Sequence, residues 1–352
     1  MAENNNEEAP ENYLEDLSNV LDEKELVEID QLAKRYQEMT SPGFFTKVGK
    51  AFSDMLPDKL KEAIAEGGKN ISEQEFYLKA MDVIATGFGA LEEQAARFTI
   101  TEEAVINEAN KILYPKQIAS LEEICLLRSY QVAKIADTQK LPNLGLALAE
   151  GGGTGALGFA GIVPNIVTST FCYYRAVQSV AMSYGYDTKT DPDELMIAGE
   201  VFTTAMAPKA NDGGEMAGII GKIMMISEAE AIKQTVKKGW SKMAARGGMT
   251  LLLTQMRALA HKAAKKALDK AGKEGLENSI FRSVFEQIGK RITAKTVQRA
   301  IPLVSALIGA LFDFGEMKKV LEFADIFYRK RFLLEKTERQ RMLLEDNTAQ
   351  EA

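Results

Sequence analysis

Histidine is almost missing from this sequence. His261 is the only one in 352 residues, and Cys125 and Cys172 are the only cysteines. One imidazole and two distant thiols exclude the ordinary zinc spacings and argue against a histidine-based triad. His261 itself, between Ala260 and Lys262, reads as a partly exposed bystander. The phosphate-cradling Gly-x-x-x-x-Gly-Lys-Ser/Thr loop is also missing: Gly221-Lys222 is followed by Ile223 and lacks the earlier glycine. The first residues, Met-Ala-Glu-Asn-Asn-Asn-Glu-Glu, have neither the basic nor the apolar region of a secretory signal. Both cysteines sit in apolar helical surroundings and read as small buried hydrophobes, not as a disulfide. A cytoplasmic body is the expectation. There is no internal repeat and no convincing strand.

What is present is a large apolar share, 46% against 26% charged, enough for a sizeable core. The net charge of −7 hides an asymmetry. Residues 1–30 carry eleven acids against Lys24, whereas residues 231–299 carry sixteen Lys and Arg against Asp269, Glu274, Glu277 and Glu286. Such separation points to an internal charge partner or to a basic face aimed at an anionic surface.

The chain is organised around residues 141–174, which carry no charge after Glu150 and six glycines within eleven residues. Three readings apply. Gly153-x-Gly155-x-x-Gly158 spells the dinucleotide fingerprint, but that motif needs a preceding strand, a following helix and an acid about 20 residues on. No partner strand follows, and no acid stands between Glu150 and Asp187. As a membrane span, the stretch gains about 0.3–0.6 kcal/mol for each apolar side chain inserted. Asn165, the Ser and Thr side chains and the backbone bond lost at Pro164 oppose this at several kcal/mol for each unsatisfied group. The favoured reading is a helix, broken near Pro164, in which Gly151, Gly155, Gly158 and Gly161 let another backbone approach closely. Pro302 to Phe312, with Gly309, reads as a second small-residue helix. The fold class that follows is all-α: a multi-helix bundle with a glycine-rich central helical hairpin.

The rest of the chain reads as helices between breaks. A helix is expected from Tyr13 to about Met39. Ser41-Pro42-Gly43 breaks it, and an amphipathic segment carrying Phe44, Phe45 and Phe52 follows, suited to docking or to a lipid interface. The capping box Ser72-Glu73-Gln74-Glu75 opens a long helix to about Arg97. Thr99 to Glu102 opens another, closed by Pro115, and Ser120 to Glu123 opens one running to about Gln139. Gly185 reads as a helix C-cap, and Thr190-Asp191-Pro192-Asp193-Glu194 as a strong helix start. Arg246-Gly247-Gly248 reads as a break before an amphipathic helix, Leu251 to Ala271. Its apolar stripe is Leu252, Met256, Leu259, Ala260, Ala263 and Ala267. Its basic side carries Lys262, Lys266, Lys270 and, just beyond its end, Lys273, with Lys265 beside them. A solvated face explains that side, and so does an anionic membrane surface at about 1 kcal/mol per lysine. Nucleic acid is not expected, because no aromatics interleave the lysines. Lys318 to about Leu344 is a final charged helix.

Two polar residues follow glycine-containing apolar helices: Asn165 and Asp313. If those helices pack together, the two side chains form a hydrogen-bonded pair, since a buried carboxylate needs partners. A structural role is preferred over a catalytic one.

Three blocks of this sequence together resemble the EcsC family of bacterial proteins. They are Gly153-Thr154-Gly155-x-x-Gly158-Phe159 to Pro164-Asn165, the turn Tyr184-Gly185-Tyr186-Asp187, and Ile301-Pro302 through Gly309, Phe312 and Asp313 to Ala324 and Arg329–Leu333. The resemblance covers about residues 70–335. The family pattern has an acid near Asn165 and an amide near Asp313; here the two are exchanged, which fits a contacting pair. The resemblance implies a bacterial protein linked to the cell envelope. The family's founding member is associated with an ABC exporter, and relatives with bacteriocin resistance. No catalytic residue, metal or cofactor carries over. The domain reading is an acidic arm with an amphipathic helix at 1–69, a helical domain at 70–335 and a charged tail at 336–352. The expected function is non-enzymatic, peripheral at the cytoplasmic membrane face. The partner is an anionic membrane surface or a membrane protein such as an ABC transporter. The alternatives are a hydrolase-like enzyme with a carboxylate site near Asp313 and a soluble interaction module.

Overall fold

The computed structural model describes residues 20–41, 73–112, 118–138, 158–206, 214–227, 241–271, 275–297 and 314–350. Among these residues every regular element is helical and there is no strand, so the all-α class holds. The α-helices are α1 Glu23–Thr40, α2 Glu73–Thr86, α3 Phe88–Ala95, α4 Glu102–Ile112, α5 129–138 and α6 Gly158–Ser183. They continue with α7 Pro192–Met206, α8 Glu215–Met225, α9 Ser241–Ala271, α10 Leu276–Val297 and α11 Phe314–Gln350. Short 3-10 turns stand at Ala96–Phe98 and Glu122–Leu126.

α6 and α11 form the centre. α6 packs on α2, α3, α7 and α11; α11 also packs on α1, α7, α8 and the Glu122–Leu126 turn. From Val163 onward α6 is buried in protein through Ile166, Val167, Phe171, Tyr174, Val177 and Ala181. Phe171 and Tyr174 meet Phe281 of α10 at ring-centroid distances of 4.8 and 6.0 Å, and Tyr174 stacks on Phe202 of α7 at 6.2 Å. α7 and α10 approach closely at Gly199, where an added Cβ would lie 2.9 Å from the Val284 Cγ2. Of the glycines expected to pack helices, Gly151, Gly155 and Gly309 fall outside the described residues. Gly158 and Gly161 lie on α6, with no contacts described around them.

Five helix boundaries differ from expectation. The helix expected from Tyr13 is interrupted at Leu21-Asp22, and α1 starts afresh at Glu23 with Asp22 as its N-cap. α6 runs unbroken through Pro164. Pro164 is exposed, and its ring costs the helix one backbone bond without ending it. The helix expected from Ser72 to Arg97 is interrupted at Gly87, and the one expected from Ser120 to Gln139 divides at Leu127. There α5 starts afresh because its first amides are taken by side chains: Arg128 N–H donates to the Gln131 Oε1 at 2.9 Å and Ser129 N–H to the Glu25 Oε1 at 2.8 Å. α9 continues through Arg246-Gly247-Gly248, since a glycine costs a helix only about 1 kcal/mol.

Other signals hold. Asp22 and Glu25 close a capping box at the start of α1. Asp191 accepts the Asp193 amide at 2.8 Å ahead of Pro192. Gly185 ends α6 with φ +78°, and the Tyr186 and Gly185 amides donate to the Ala181 and Met182 carbonyls in a Schellman motif. Cys125 and Cys172 are buried and unbridged. No described helix is long and apolar enough to cross a membrane.

Candidate functional site

Of the site residues expected from the sequence, the structure places the four lysines. Lys262, Lys265, Lys266 and Lys270 are all exposed on the outer side of α9. They lie away from the buried line Leu253, Met256, Ala260, Ala264 and Ala271. That line differs from the expected stripe: Met256 and Ala260 are shared, while Leu252, Leu259, Ala263 and Ala267 are only half-buried. The exposed side also carries Asp269 and two outward leucines, Leu251 at 54% and Leu268 at 49% exposure. His261 is exposed and pairs through Nδ1 with the Asp193 Oδ2 at 3.1 Å, tying α9 to the first turn of α7. Phe44, Phe45, Phe52 and Asp313 lie outside the described residues, as does the Asn165 side chain.

Sequence reasoning missed the polar centre. α11, expected only as a charged helix, carries its charges inward: Lys330 and Arg331 are 0% exposed. Arg331 makes two bonds of 2.6 Å to Glu194 of α7 and one of 3.1 Å to Glu335 one turn on. Glu335 also accepts the Tyr186 hydroxyl at 3.0 Å and pairs with Arg257 of α9 at 3.2 Å. Burial pushes the Glu335 carboxyl up, but the Arg331, Arg257 and Arg339 guanidiniums outweigh it and hold the group below its usual range. The Tyr186 ring lies 4.0 Å from the Arg331 guanidinium and 4.7 Å from that of Arg339.

Beside it, α1 supplies acids to the same helix. Glu25 accepts from Lys336 at 2.7 Å, from Ser129 N–H and from Arg128 at 2.8 Å; Glu28 pairs with Arg329 and Ser129. Asp325 accepts the Tyr184 hydroxyl at 2.8 Å and pairs with Arg35 at 3.5 Å, and Arg35 also pairs with Glu322. Three more α11 side chains hold the ends of other helices. Lys330 donates to the Met224 carbonyl at 2.7 Å and to the Ile226 carbonyl, at the end of α8. Arg339 donates to the Tyr184 and Gly185 carbonyls at 3.0 and 2.8 Å, at the end of α6. Gln340 donates to the Cys125 carbonyl at 2.8 Å. A cation at a helix C-terminus meets the orphan carbonyls and the negative end of the dipole.

Chemically this seam is a set of buried charges that neutralise one another. Its carboxylates are engaged by cations or hydroxyls, and burial of Lys330 pushes that amine down to about 7. The buried Cys125 thiol is pushed up by burial, opposite to what a reactive thiol needs. Among the described residues no group of three or more His, Cys, Asp or Glu could hold a metal ion. The signal was present in sequence: Arg331, Glu335 and Arg339 recur at four-residue steps among Phe327, Tyr328, Phe332, Leu333 and Leu334.

Comparison with known families gives a match over most of the chain. The model of the EcsC protein family matches residues 23–333, from the first turn of α1 to the middle of α11. The match thus begins well before residue 70, where the resemblance was read to start. Neither a curated protein nor a solved structure matches the chain. The matched span covers most of the 352 residues, and the chain belongs to the EcsC family.

Proposed function

We propose that this EcsC-family protein is a non-enzymatic, peripheral protein of the cytoplasmic membrane face, which meets anionic lipid through the outer side of α9. The observation that carries the reading is the exposure of Lys262, Lys265, Lys266 and Lys270 on one helix together with Leu251 and Leu268. Lysines near an anionic surface contribute about 1 kcal/mol each, and exposed leucines on the same helix have a place in the acyl boundary. Its position at the membrane would let it serve an integral partner such as an ABC exporter, in envelope maintenance or bacteriocin resistance.

Vesicle flotation tests the reading. The chain should float with phosphatidylserine–phosphatidylcholine vesicles, release with salt, and stay behind with phosphatidylcholine alone. Replacing Lys262, Lys265, Lys266 and Lys270 by Gln should weaken flotation at least about tenfold. Equal behaviour on both vesicle types, or no loss in the variant, ends the reading.

A further inference from the structure

The acids of the first thirty residues divide into two sets. Those on and just before α1 have structural work: Asp22 and Glu25 cap the helix and meet Arg128, Glu25 binds Lys336 and Glu28 binds Arg329. Ahead of them stand Glu3, Glu7, Glu8, Glu11, Glu15 and Asp16, with no Lys or Arg in residues 1–19. The family match begins only at residue 23, so this acidic run lies beyond what the family shares.

On the other side of the ledger, the lysines of α9 stand exposed in excess over Asp269. The α11 seam takes Arg257 from α9, and none of Lys262, Lys265, Lys266 and Lys270 is among its partners named above. An acidic run tied covalently to a protein with one basic helix face is a competitor present at millimolar effective concentration. Reach does not limit it, because nineteen residues span up to about 60 Å when extended.

We propose that the acidic run Glu3–Asp16 occupies the Lys262–Lys270 face of α9 and gives it up to an anionic membrane. This rests on the membrane reading for the displacing surface, but not for the contact itself. Each exposed pair is weak and screened by salt, so the contact is a competitor and not a permanent seal.

Two measurements on the full chain separate the possibilities. In the first, a zero-length carbodiimide joins carboxylates to amines in contact, and mass spectrometry finds the joined residues. Crosslinks from Glu3–Asp16 should fall on Lys262, Lys265, Lys266 or Lys270, fade at high salt, and fade when phosphatidylserine-containing vesicles are added. In the second, the variant with Glu3, Glu7, Glu8, Glu11 and Glu15 changed to Gln and Asp16→Asn should bind those vesicles about tenfold more tightly than the native chain. Crosslinks absent from the α9 lysines, or equal affinity of the two chains for vesicles, overturn the inference. Crosslinks present while neither chain binds vesicles remove the membrane reading and leave the contact of arm and face standing.

Discussion

α9 and α11 are both long helices rich in Lys and Arg, and their charges end in opposite surroundings. The lysines of α9 stand in water, while α11 buries Lys330, Arg331, Glu335, Lys336 and Arg339. The difference lies in partners. α11 carries both signs on its buried side, and its excess cations meet Glu25, Glu28 and Glu194 or the carbonyl ends of α6 and α8. α9 carries one sign on its outer side, with Asp269 the exception. A buried charge is tolerated only where another group neutralises or solvates it. Charge content alone therefore does not place a helix; the pairing of its charges does.

The sharpest way to break this comparison is to remove a charge from the seam. Arg331→Met leaves Glu194 without its two 2.6 Å donors and takes from Glu335 its 3.1 Å bond. A cost of about 3–5 kcal/mol is expected, read as a lowered urea midpoint. Adding Glu194→Gln should restore part of it, because the stranded carboxylate is then gone. Full stability in Arg331→Met would mean the seam is not a network of coupled pairs.

Lys330 gives the next largest effect, through pH. Its folded value is about 7 against 10.5 for an ordinary lysine, lowered by burial. Between those values the unfolded chain holds a proton that the folded chain lacks, so stability rises with pH, by up to about 1.4 kcal/mol per unit. From pH 7 to pH 9 the native protein should gain about 2 kcal/mol relative to Lys330→Met. The window stops there because Tyr184, Tyr186 and Tyr328 are raised by burial above 10. Above pH 10 these phenols keep protons that the unfolded chain loses, and stability falls again. Parallel pH curves for the two proteins would show that the Lys330 amine is not desolvated.

Gly185 and Gly275 form a smaller matched test of the end of α6 that Arg339 holds. Both have left-handed backbone, φ +78° and +75°, but a Cβ on Gly185 would lie 2.6 Å from the Leu121 carbonyl oxygen, and one on Gly275 meets nothing within 4 Å. Gly275→Ala should cost about 1 kcal/mol, for the backbone alone. Gly185→Ala should cost about 2 kcal/mol, because the carbonyl must also move. Equal costs in thermal denaturation would show that the turn has room.

The helix-only architecture was legible because 3.6-residue periodicity, Gly185, and Asp191 with Pro192 are local signals that local backbone geometry obeys. The same periodicity could not rank the helices by depth. Lys336 meets Glu25 from 311 positions away and Arg329 meets Glu28 from 301, and no window of sequence spans such a pair. Pro164 and Gly247-Gly248 looked like breaks because proline and glycine are unfavourable inside a helix, yet α6 and α9 run through them. Glycine misled in a related way. Attention fell on the dense run near Gly155, while among the described residues close approaches are made by isolated glycines: Gly185 against the Leu121 carbonyl and Gly199 against Val284 on another helix. For the site, the basic side of α9 was legible from lysine spacing; of the α11 seam the sequence carried only the four-residue recurrence of Arg331, Glu335 and Arg339, and not their partners.

The smallest expected effect completes the contrast. Replacing Lys262, Lys265, Lys266 and Lys270 by Gln removes four charges, more than any change proposed for α11. Yet all four are exposed, so no desolvated partner is stranded, and a glutamine keeps good helix propensity. The urea midpoint should move by no more than about 0.5 kcal/mol in equivalent free energy. With stability preserved, a loss of vesicle binding in the same protein reads as a loss of surface charge and not of folding. A large destabilisation would mean that α9 uses its lysines as α11 uses its own, and that the two helices differ in degree only.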